Sequence, residues 1–271
     1  MLVYVLVVLA VASAVVVAMV AQSDRAIDRA RQFGDAAQAE ALIRAGEASA
    51  TAALARDPRG IDHGEEAWAD VAQTDLAIAG GRFQLRIGDA QGRFNLTNLR
   101  TGGVLAQDRL RAIAASLRLD PSVASRILAA FGTSTAPPRD LQDLQRVIAA
   151  DDLAALAALV TVLPQACDVN LNAAPAALVA VLLANEVQAR KLMLRREAAG
   201  FLSAADVAGL GVILPPGIGF GSDFFWVDVT VQVGDALQSG TALIERSGGG
   251  VPVVVSRHSN AEPGSLAPAG S

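Results

Sequence analysis

The hydrophobic pattern of the chain changes sharply after its first 21 residues. Residues 1–21 carry no charged side chain and consist mostly of Val, Leu and Ala. As an α-helix this run would be about 30 Å long, which matches the hydrocarbon core of a bilayer. The pattern therefore predicts a membrane anchor. Its anchor residues include Leu2, Val5, Leu9, Val16 and Val20.

A second pattern runs from Gln22 to about Arg56, where apolar residues recur at spacings of three and four. This periodicity is typical of a helix with one apolar face, and Asp57-Pro58-Arg59-Gly60 supplies a stop signal. Two interpretations stay open: one continuous helix of about 55 residues, or a transmembrane helix followed by a separate surface helix. A cleaved signal peptide fits less well, because its apolar core spans only about 7–15 residues behind a basic segment.

Strand signals flank a long helical region in the rest of the chain. Alternation in residues 83–87 and again in 94–96 predicts a hairpin, and a helical pattern runs from about residue 106 to 210. Three further strands are predicted at residues 224–231, 242–246 and 251–256. The first and last strands must pair to build a sheet of useful size. This order predicts an α+β fold with a helical domain inserted in the sheet region.

This order divides the chain into six parts. The two halves of the long helix come first, followed by the first part of the sheet domain and the helical insertion. The C-terminal strands follow, with a turn at Gly248-Gly249-Gly250, and a tail rich in Ser, Pro, Gly and Ala is predicted to be disordered. In order, the parts are residues 1–21, 22–56, 57–102, 103–210, 211–258 and 259–271.

Polar residues and glycines mark the predicted helix ends. Ser203 and Asp206 resemble a capping box, with Asp in place of Glu, and Gly200 is placed to end the preceding helix. The other predicted N-caps are Asp120 with Pro121 behind it, Asp140, Asp151 or Asp152, and Asn172.

Two Asn-Leu motifs form a weak internal echo. Asn95-Leu96-Thr97 and Asn170-Leu171-Asn172 each precede a helical segment. They could mark two packed helix–turn–helix units, with chance similarity as the alternative. The side chains of Asn95, Asn98, Asn170 and Asn172 are interpreted as caps and turn formers that bond nearby backbone, with partner contact as the alternative.

The charge pattern argues against nucleic-acid binding. The chain has 22 basic and 27 acidic residues, a net charge of −5, whereas nucleic-acid binders usually carry a basic surface. Residues 101–210 hold ten of each sign. The turns at Leu119-Asp120-Pro121 and Ala184-Asn185-Glu186 also lack the glycines that let a backbone approach phosphate.

The residues that carry enzyme chemistry are scarce. Cys167 is the only cysteine, and His63 and His258 are the only histidines, which leaves Cys- and His-based metal or catalytic sites poorly supplied. His63 lies in the acidic stretch 62–66, predicted to be a solvated loop. An enzyme is therefore not expected, and no cofactor is required.

Four motifs in order behind the long helix resemble the K-type minor pseudopilins of bacterial type II secretion, the general secretion pathway protein K family. The motifs are Gly92-Arg93-Phe94-Asn95-Leu96-Thr97-Asn98-Leu99, Val169-Asn170-Leu171-Asn172-Ala173-Ala174-Pro175, Gly200-Phe201-Leu202-Ser203 with Asp206, and Ser222-Asp223-Phe224-Phe225. The resemblance implies a pilin-like fold, in which the long helix packs on a small antiparallel sheet that carries a large all-α insertion.

The resemblance also implies a role and partners. A K-type subunit joins the I-type and J-type minor pseudopilins at the tip of the pseudopilus, where it helps to start assembly and supports export across the outer membrane. Other pseudopilins and inner-membrane secretion components are further partners. The expected location is the bacterial inner membrane, with a single span and a periplasmic globular domain. Ile27, Phe33 and Leu42 would pack on partner helices. A membrane-anchored periplasmic protein unrelated to secretion and a helix-hairpin-helix DNA-binding protein are the alternatives.

Two further expectations depend on the resemblance. If Met1 begins the processed protein, it is the candidate for leader cleavage and N-methylation. Val5 then stands where most pilins have Glu, an absence that K-type subunits share. Calcium is allowed by the resemblance, but no ligands are assigned, because Thr133-Ser134-Thr135-Ala136-Pro137-Pro138 replaces the expected acidic cluster.

Overall fold

The computed structural model describes residues 1–71, 76–132, 137–246 and 250–260. Its helices are α1 (Leu2–Arg56), α2 (Ala67–Asp70), α3 (Gly103–Ser116), α4 (Pro121–Gly132), α5 (Ala150–Leu156), α6 (Ala176–Leu183), α7 (Glu186–Ala199) and α8 (Ala204–Gly209). Short 3₁₀ helices lie at Leu96–Arg100 and Gln142–Arg146. The strands are β1 (Leu76–Ile78), β2 (Gly81–Asp89), β3 (Phe94–Asn95), β4 (Val160–Thr161), β5 (Val169–Asn170), β6 (Ile218–Gly219), β7 (Phe224–Val233), β8 (Ala236–Glu245) and β9 (Val253–Asn260).

Helix α1 is continuous over 55 residues, so the single-helix interpretation is confirmed. It ends at Arg56 because Asp57 adopts an extended conformation, with φ −78° and ψ 133°. Pro58 favours that conformation, since its ring disfavours helical geometry in the preceding residue. The boundary therefore follows from the local sequence.

The main sheet pairs the first strands with the last, as the sequence predicts. Its order is β1-β2-β7-β8-β9, and every neighbouring pair is antiparallel. Along β7, the buried residues Val227, Val229 and Val231 alternate with the less buried Asp228 and Thr230. The period of two gives the sheet one apolar face, and α1 packs there through Ala39, Ala50 and Leu54.

Gly46 lets α1 approach this sheet closely. A Cβ atom at Gly46 would lie 2.9 Å from Cγ2 of Val229 and 3.1 Å from Cζ of Phe83, whereas a Cβ at Gly34 would meet no atom within 4 Å. The two glycines of α1 therefore have different surroundings. Gly46 is retained at the cost of helix propensity because a side chain would push the helix from the sheet.

Replacing Gly46 with leucine should lower the free energy of unfolding by about 1–3 kcal/mol, as overpacking does. The matched control is Gly34→Leu, which adds the same side chain to the same helix where nothing obstructs it. Urea unfolding of both variants tests the difference. Equal stability of the two variants would contradict the close packing of α1 on β7.

The region between β2 and β7 contains two similar halves. In the first, β3 leads into α3 and α4, and the chain returns to pair β4 parallel with β3. In the second, β5 leads into α6 and α7, and β6 pairs parallel with β5. The two halves share one core that includes Leu110, Ile127 and Leu178. The Asn-Leu echo therefore marks a repeated unit.

Two strand predictions need correction. Phe94–Asn95 does not form a hairpin with β2, because the chain turns at Gln91, whose N–H donates to Asp89 Oδ1 at 2.6 Å, and enters the helical region. The tail was predicted to begin at Ser259, but β9 extends to Asn260 by pairing with β8. Residues 261–271 and the predicted turn glycines 248 and 249 lie outside the described residues.

The predicted caps are partly confirmed. Gly200 ends α7 with φ 82°, Ser203 and Asp206 form the capping box, and α4 begins at Pro121 with Asp120 accepting from Ser122 N–H. Asp140 likewise accepts from Asp143 N–H, but at a 3₁₀ helix that ends at Arg146.

Two cap predictions are wrong. Ala149 is the N-cap of α5, and Asp151 and Asp152 lie in its first turn, where the helix dipole favours acidic groups. Pro175 occupies the N-cap position of α6. The side chain of Asn172 bonds the backbone of Leu202 instead.

Candidate assembly interface

The apolar half of α1 has the form of a membrane anchor. All five anchor residues predicted from the sequence are exposed: Leu2, Val5, Leu9, Val16 and Val20. In water so much exposed apolar surface is unfavourable. By length and composition the helix can cross a membrane. It is the one such helix among the described residues.

The three residues predicted to contact partner helices differ in their surroundings. Phe33 is 76% exposed and Ile27 is 47% exposed, and both precede the part of α1 that packs on the sheet. Leu42 is partly buried and packs against the sheet core of its own chain. Ile27 and Phe33 therefore offer the freer surface for another helix.

A buried polar network joins the end of α1, the sheet and the inserted helical region. We call its members, Asp62, Asp89, Asn170, Ser222 and Arg246, the junction network. Asn170 donates from Nδ2 to Asp89 Oδ2 at 2.6 Å and to the backbone oxygen of Asp62 at 2.9 Å. Ser222 donates from Oγ to Asp89 Oδ2 at 2.6 Å, and its N–H donates to Asp62 Oδ2 at 2.7 Å. The network fixes the inserted region at the end of α1 that is far from the apolar half.

Arg246 forms the ion pairs of the junction network. Its guanidinium donates to Asp57 at 2.6 Å, to Asp62, and to the backbone oxygen of Ser222 at 3.1 Å. All three ion-paired side chains are at most 3% exposed. The guanidinium also lies 4.8 Å from the centre of the Phe225 ring, a distance typical of a cation–π contact.

Burial changes the protonation of Asp89. Its carboxylate is enclosed by Ser222, Asn170 and Gln91, and desolvation raises its pKa to about 6 against the hydrogen bonds that lower it. Removal from water disfavours the charged form of an acid. Asp89 is therefore an acid whose charge changes in a mildly acidic solution.

The four asparagines of the sequence motifs are all used inside the protein. Asn95 and Asn170 each accept the N–H two residues ahead, at Thr97 and Asn172. Asn98 exchanges two hydrogen bonds with the backbone of Cys167. Their interpretation as turn formers fits these contacts, but their long-range bonds reach well beyond nearby backbone.

The sequence interpretation missed most of the junction network. Asp62 was placed in a solvated loop, but it is fully buried, and His63 stacks on Phe201 with ring centres 4.4 Å apart. Arg246 stood at the end of a predicted strand without a role. Among the network residues, only Ser222 and Asn170 lay in motifs that the sequence singled out, through their resemblance to the K-type family.

One group of described carboxylates lies close enough together to hold a metal ion, but its members already have partners. Asp57, Asp62 and Glu66 place oxygen atoms within 4.8 Å of one another, but Arg246 is ion-paired with the first two. Glu66 accepts from His63 N–H and from Trp68 Nε1. A cation that uses oxygen ligands would have to compete with these partners for the carboxylate oxygens. Residues 133–136, in the loop that replaces the expected acidic cluster, lie outside the described residues.

The described part of the chain also offers little for catalysis. Ser222 has an acidic neighbour in Asp89, but the serine is only 5% exposed, so a substrate could not reach it. Burial raises the pKa of Cys167 to about 12, which keeps the thiol protonated and poorly nucleophilic. The network is therefore suited to holding the fold together.

The helix pairs do not favour phosphate binding. The turns between α3 and α4 and between α6 and α7 place Arg118 and Ala184 at positive φ, 57° and 49°. Side chains at such positions keep a ligand backbone at a greater distance than glycine would. The geometry of these two turns and the neutral charge of residues 101–210 both argue against nucleic-acid binding.

Comparison with solved structures gives a match over most of the chain. It is to a chain of the crystal structure of the GspK-GspI-GspJ complex from the enterotoxigenic Escherichia coli Type 2 Secretion System, with a TM-score of 0.66 and 17% sequence identity. The match covers 86% of this chain and 100% of that chain. This likeness confirms the predicted α+β fold. No protein-family model matches the sequence, and no curated protein matches it.

Proposed function

We propose that this chain is a K-type minor pseudopilin of bacterial type II secretion. The observation that carries the proposal is one architecture: a 55-residue helix with an apolar first half, packed on a sheet that receives a helical insertion. The complex whose chain shares this fold belongs to a type II secretion system. The resemblance of four sequence motifs to the K-type family supports the same assignment.

The proposed location follows from the helix. Residues 1–21 would anchor the chain in the inner membrane, and the sheet and inserted region would lie in the periplasm. The role would be structural rather than enzymatic, since the buried junction network is closed to substrates. Calcium binding stays a prediction of the resemblance.

A position at the filament tip fits the placement of the inserted region. The junction network holds this region at the C-terminal end of α1, through the bond from Asn170 to Asp62. A filament that grows from the membrane carries its first subunit farthest from the membrane. A bulky domain at the distal end would obstruct subunits stacked above it, which suits a subunit that starts assembly.

The proposed partners are the I-type and J-type minor pseudopilins, and other pseudopilins and inner-membrane secretion components would act with them. Ile27 and Phe33 would pack on partner helices, because they are large, apolar and exposed. Aromatic residues are enriched among the few residues that dominate binding energy.

Replacing Phe33 with alanine should weaken recovery of the I- and J-type partners by about tenfold or more, the loss expected of a dominant contact. The full chain would be co-purified in mild detergent with these two subunits from the same organism. Thermal unfolding of the variant should stay unchanged, because Phe33 is exposed in the single chain.

Val104→Ala is the matched control for this experiment. Val104 is 70% exposed on α3, so this substitution also removes exposed apolar surface, in a smaller amount and away from α1. Failure of the unaltered chain to recover either partner would overturn the proposed function. Equal recovery with Phe33→Ala would overturn the role of this helix face.

A further inference from the structure

Two arginines lie on one side of α1 directly after the apolar run. Arg25 and Arg29 are four residues apart, so they share a helix face, and both are exposed. Arg25 lies four residues beyond Ala21, about 6 Å farther along the helix axis. The polar headgroup zone of a bilayer is about 5–7 Å deep on each side. Arg25 therefore stands at headgroup depth if residues 1–21 fill the hydrocarbon core.

The side chain of Arg29 points back toward the apolar half. Its Nε donates to the backbone oxygen of Arg25 at 3.1 Å, one turn closer to the anchor. This direction agrees with the general tilt of helical side chains toward the N-terminus. The guanidinium of Arg29 therefore lies nearer the anchor than its own backbone does.

The acidic residues of this segment border the two arginines on one flank. At about 100° per residue, Asp28 lies roughly 60° and Asp24 roughly 100° from Arg25, both on the side away from Arg29. Asp28 pairs there with Arg31 at 3.8 Å. The chain as a whole carries a net charge of −5, so a basic face here is not a consequence of composition. A basic face next to the membrane anchor would be complemented by an anionic group at the membrane surface.

We propose that Arg25 and Arg29 bind the phosphate groups of anionic phospholipids at the periplasmic surface of the membrane. A guanidinium offers paired N–H donors that match phosphate oxygens. The site would fix the depth of α1 and hold the subunit at the membrane before it enters a filament. This inference rests on the membrane anchoring under the proposed function. Acidic residues of a partner helix are the competing occupant.

The test uses the full chain in nanodiscs of phosphatidylcholine and phosphatidylglycerol. Native mass spectrometry would count the lipids that stay bound, and phosphatidylglycerol should exceed its share of the bilayer. In Arg25→Gln with Arg29→Gln this preference should fall by about fivefold for each arginine removed. Arg25→Lys with Arg29→Lys should retain part of it, because the charge remains.

Arg44→Gln is the matched control. Arg44 is also an exposed arginine of α1, paired with Glu40, but it lies about 28 Å beyond Arg25 along the axis. An unchanged lipid preference in the double Gln variant, or an equal loss in Arg44→Gln, would overturn the headgroup site. If the double Gln variant lost its partner subunits but kept its lipid preference, the two arginines would bind a partner protein instead of lipid. Extraction of the unaltered chain by alkaline carbonate would overturn the anchoring itself.

Discussion

Replacing Arg246 with methionine should lower the free energy of unfolding by about 3–5 kcal/mol, the cost of leaving buried charges without their partner. Arg246 is 2% exposed, and it pairs with Asp57 and Asp62, which are 3% and 1% exposed. Methionine fills a similar apolar volume but cannot donate. Two carboxylates would then be buried close together with no cation between them.

Urea unfolding of the detergent-solubilised chain measures this loss. Arg111→Gln is the control, because Arg111 pairs with Asp108 at 2.8 Å while both side chains are more than half exposed. Exposed pairs contribute about 0–1 kcal/mol. If both variants lost the same small amount, the buried pairs would not stabilise the junction.

A rescue variant separates charge from packing. Adding Asp57→Asn and Asp62→Asn to Arg246→Met removes the uncompensated charges along with the cation. Part of the lost stability should return, because replacing a whole buried ion-pair group costs less than removing one member. A further fall in stability would show that the hydrogen bond from Ser222 N–H to the Asp62 carboxylate dominates.

The elements with local signals could be predicted from the sequence. The end of α1 follows from Asp57 and Pro58, and β7 follows from the alternation of its residues from Val227 onward. Ser203 with Asp206 specifies the start of α8. In each case a few neighbouring residues decide the conformation, so the pattern itself carries the information.

The junction network could not be predicted because its partners are distant in the chain. Asp62 and Arg246 are 184 positions apart, and Asn170 is 108 positions from Asp62. Each one alone resembles a solvated loop residue or a strand end. Burial becomes favourable only when the fold brings all of them together, since a buried polar group needs its partners.

The repeated Asn motif shows where local and distant information meet. Asn95 and Asn170 form the same short turn with the residue two positions ahead, which the sequence could suggest. Their Nδ2 groups then donate to different places: Asn95 to the backbone oxygen of Gln165, and Asn170 to the junction network. One repeat therefore stabilises the inserted region internally, and the other connects it to the sheet.

Asn170 in turn donates to Asp89, and Asp89 should make the stability of the chain depend on pH. Its pKa is about 6 in the folded protein against an ordinary 3.8. The folded state therefore holds a proton that the unfolded state releases. This contribution is fully present below about pH 4 and is lost as the pH rises through about 6. The loss amounts to about 2–3 kcal/mol.

Asp89→Asn should flatten this fall in stability between about pH 4 and pH 6. Asparagine can still accept from Gln91 N–H, but its amide group faces the donors Ser222 and Asn170. The absolute stability should therefore drop, and the slope is the diagnostic quantity. Burial also raises the pKa of Asp62, so a smaller slope of the same sign should remain.

Asp206→Asn is the control for this measurement, because the pKa of Asp206 is shifted in the opposite direction from that of Asp89. Hydrogen bonds from Ser203 and Arg195 lower the pKa of Asp206 to about 2, so its contribution is present above about pH 4 and is lost as the pH falls toward 2. Unfolding measured from pH 3 to pH 7 should show the Asp206 change only at the acidic end. An unchanged slope between pH 4 and 6 in Asp89→Asn would mean that Asp89 is ionised in the folded protein, with Ser222 and Asn170 as sufficient compensation for its burial.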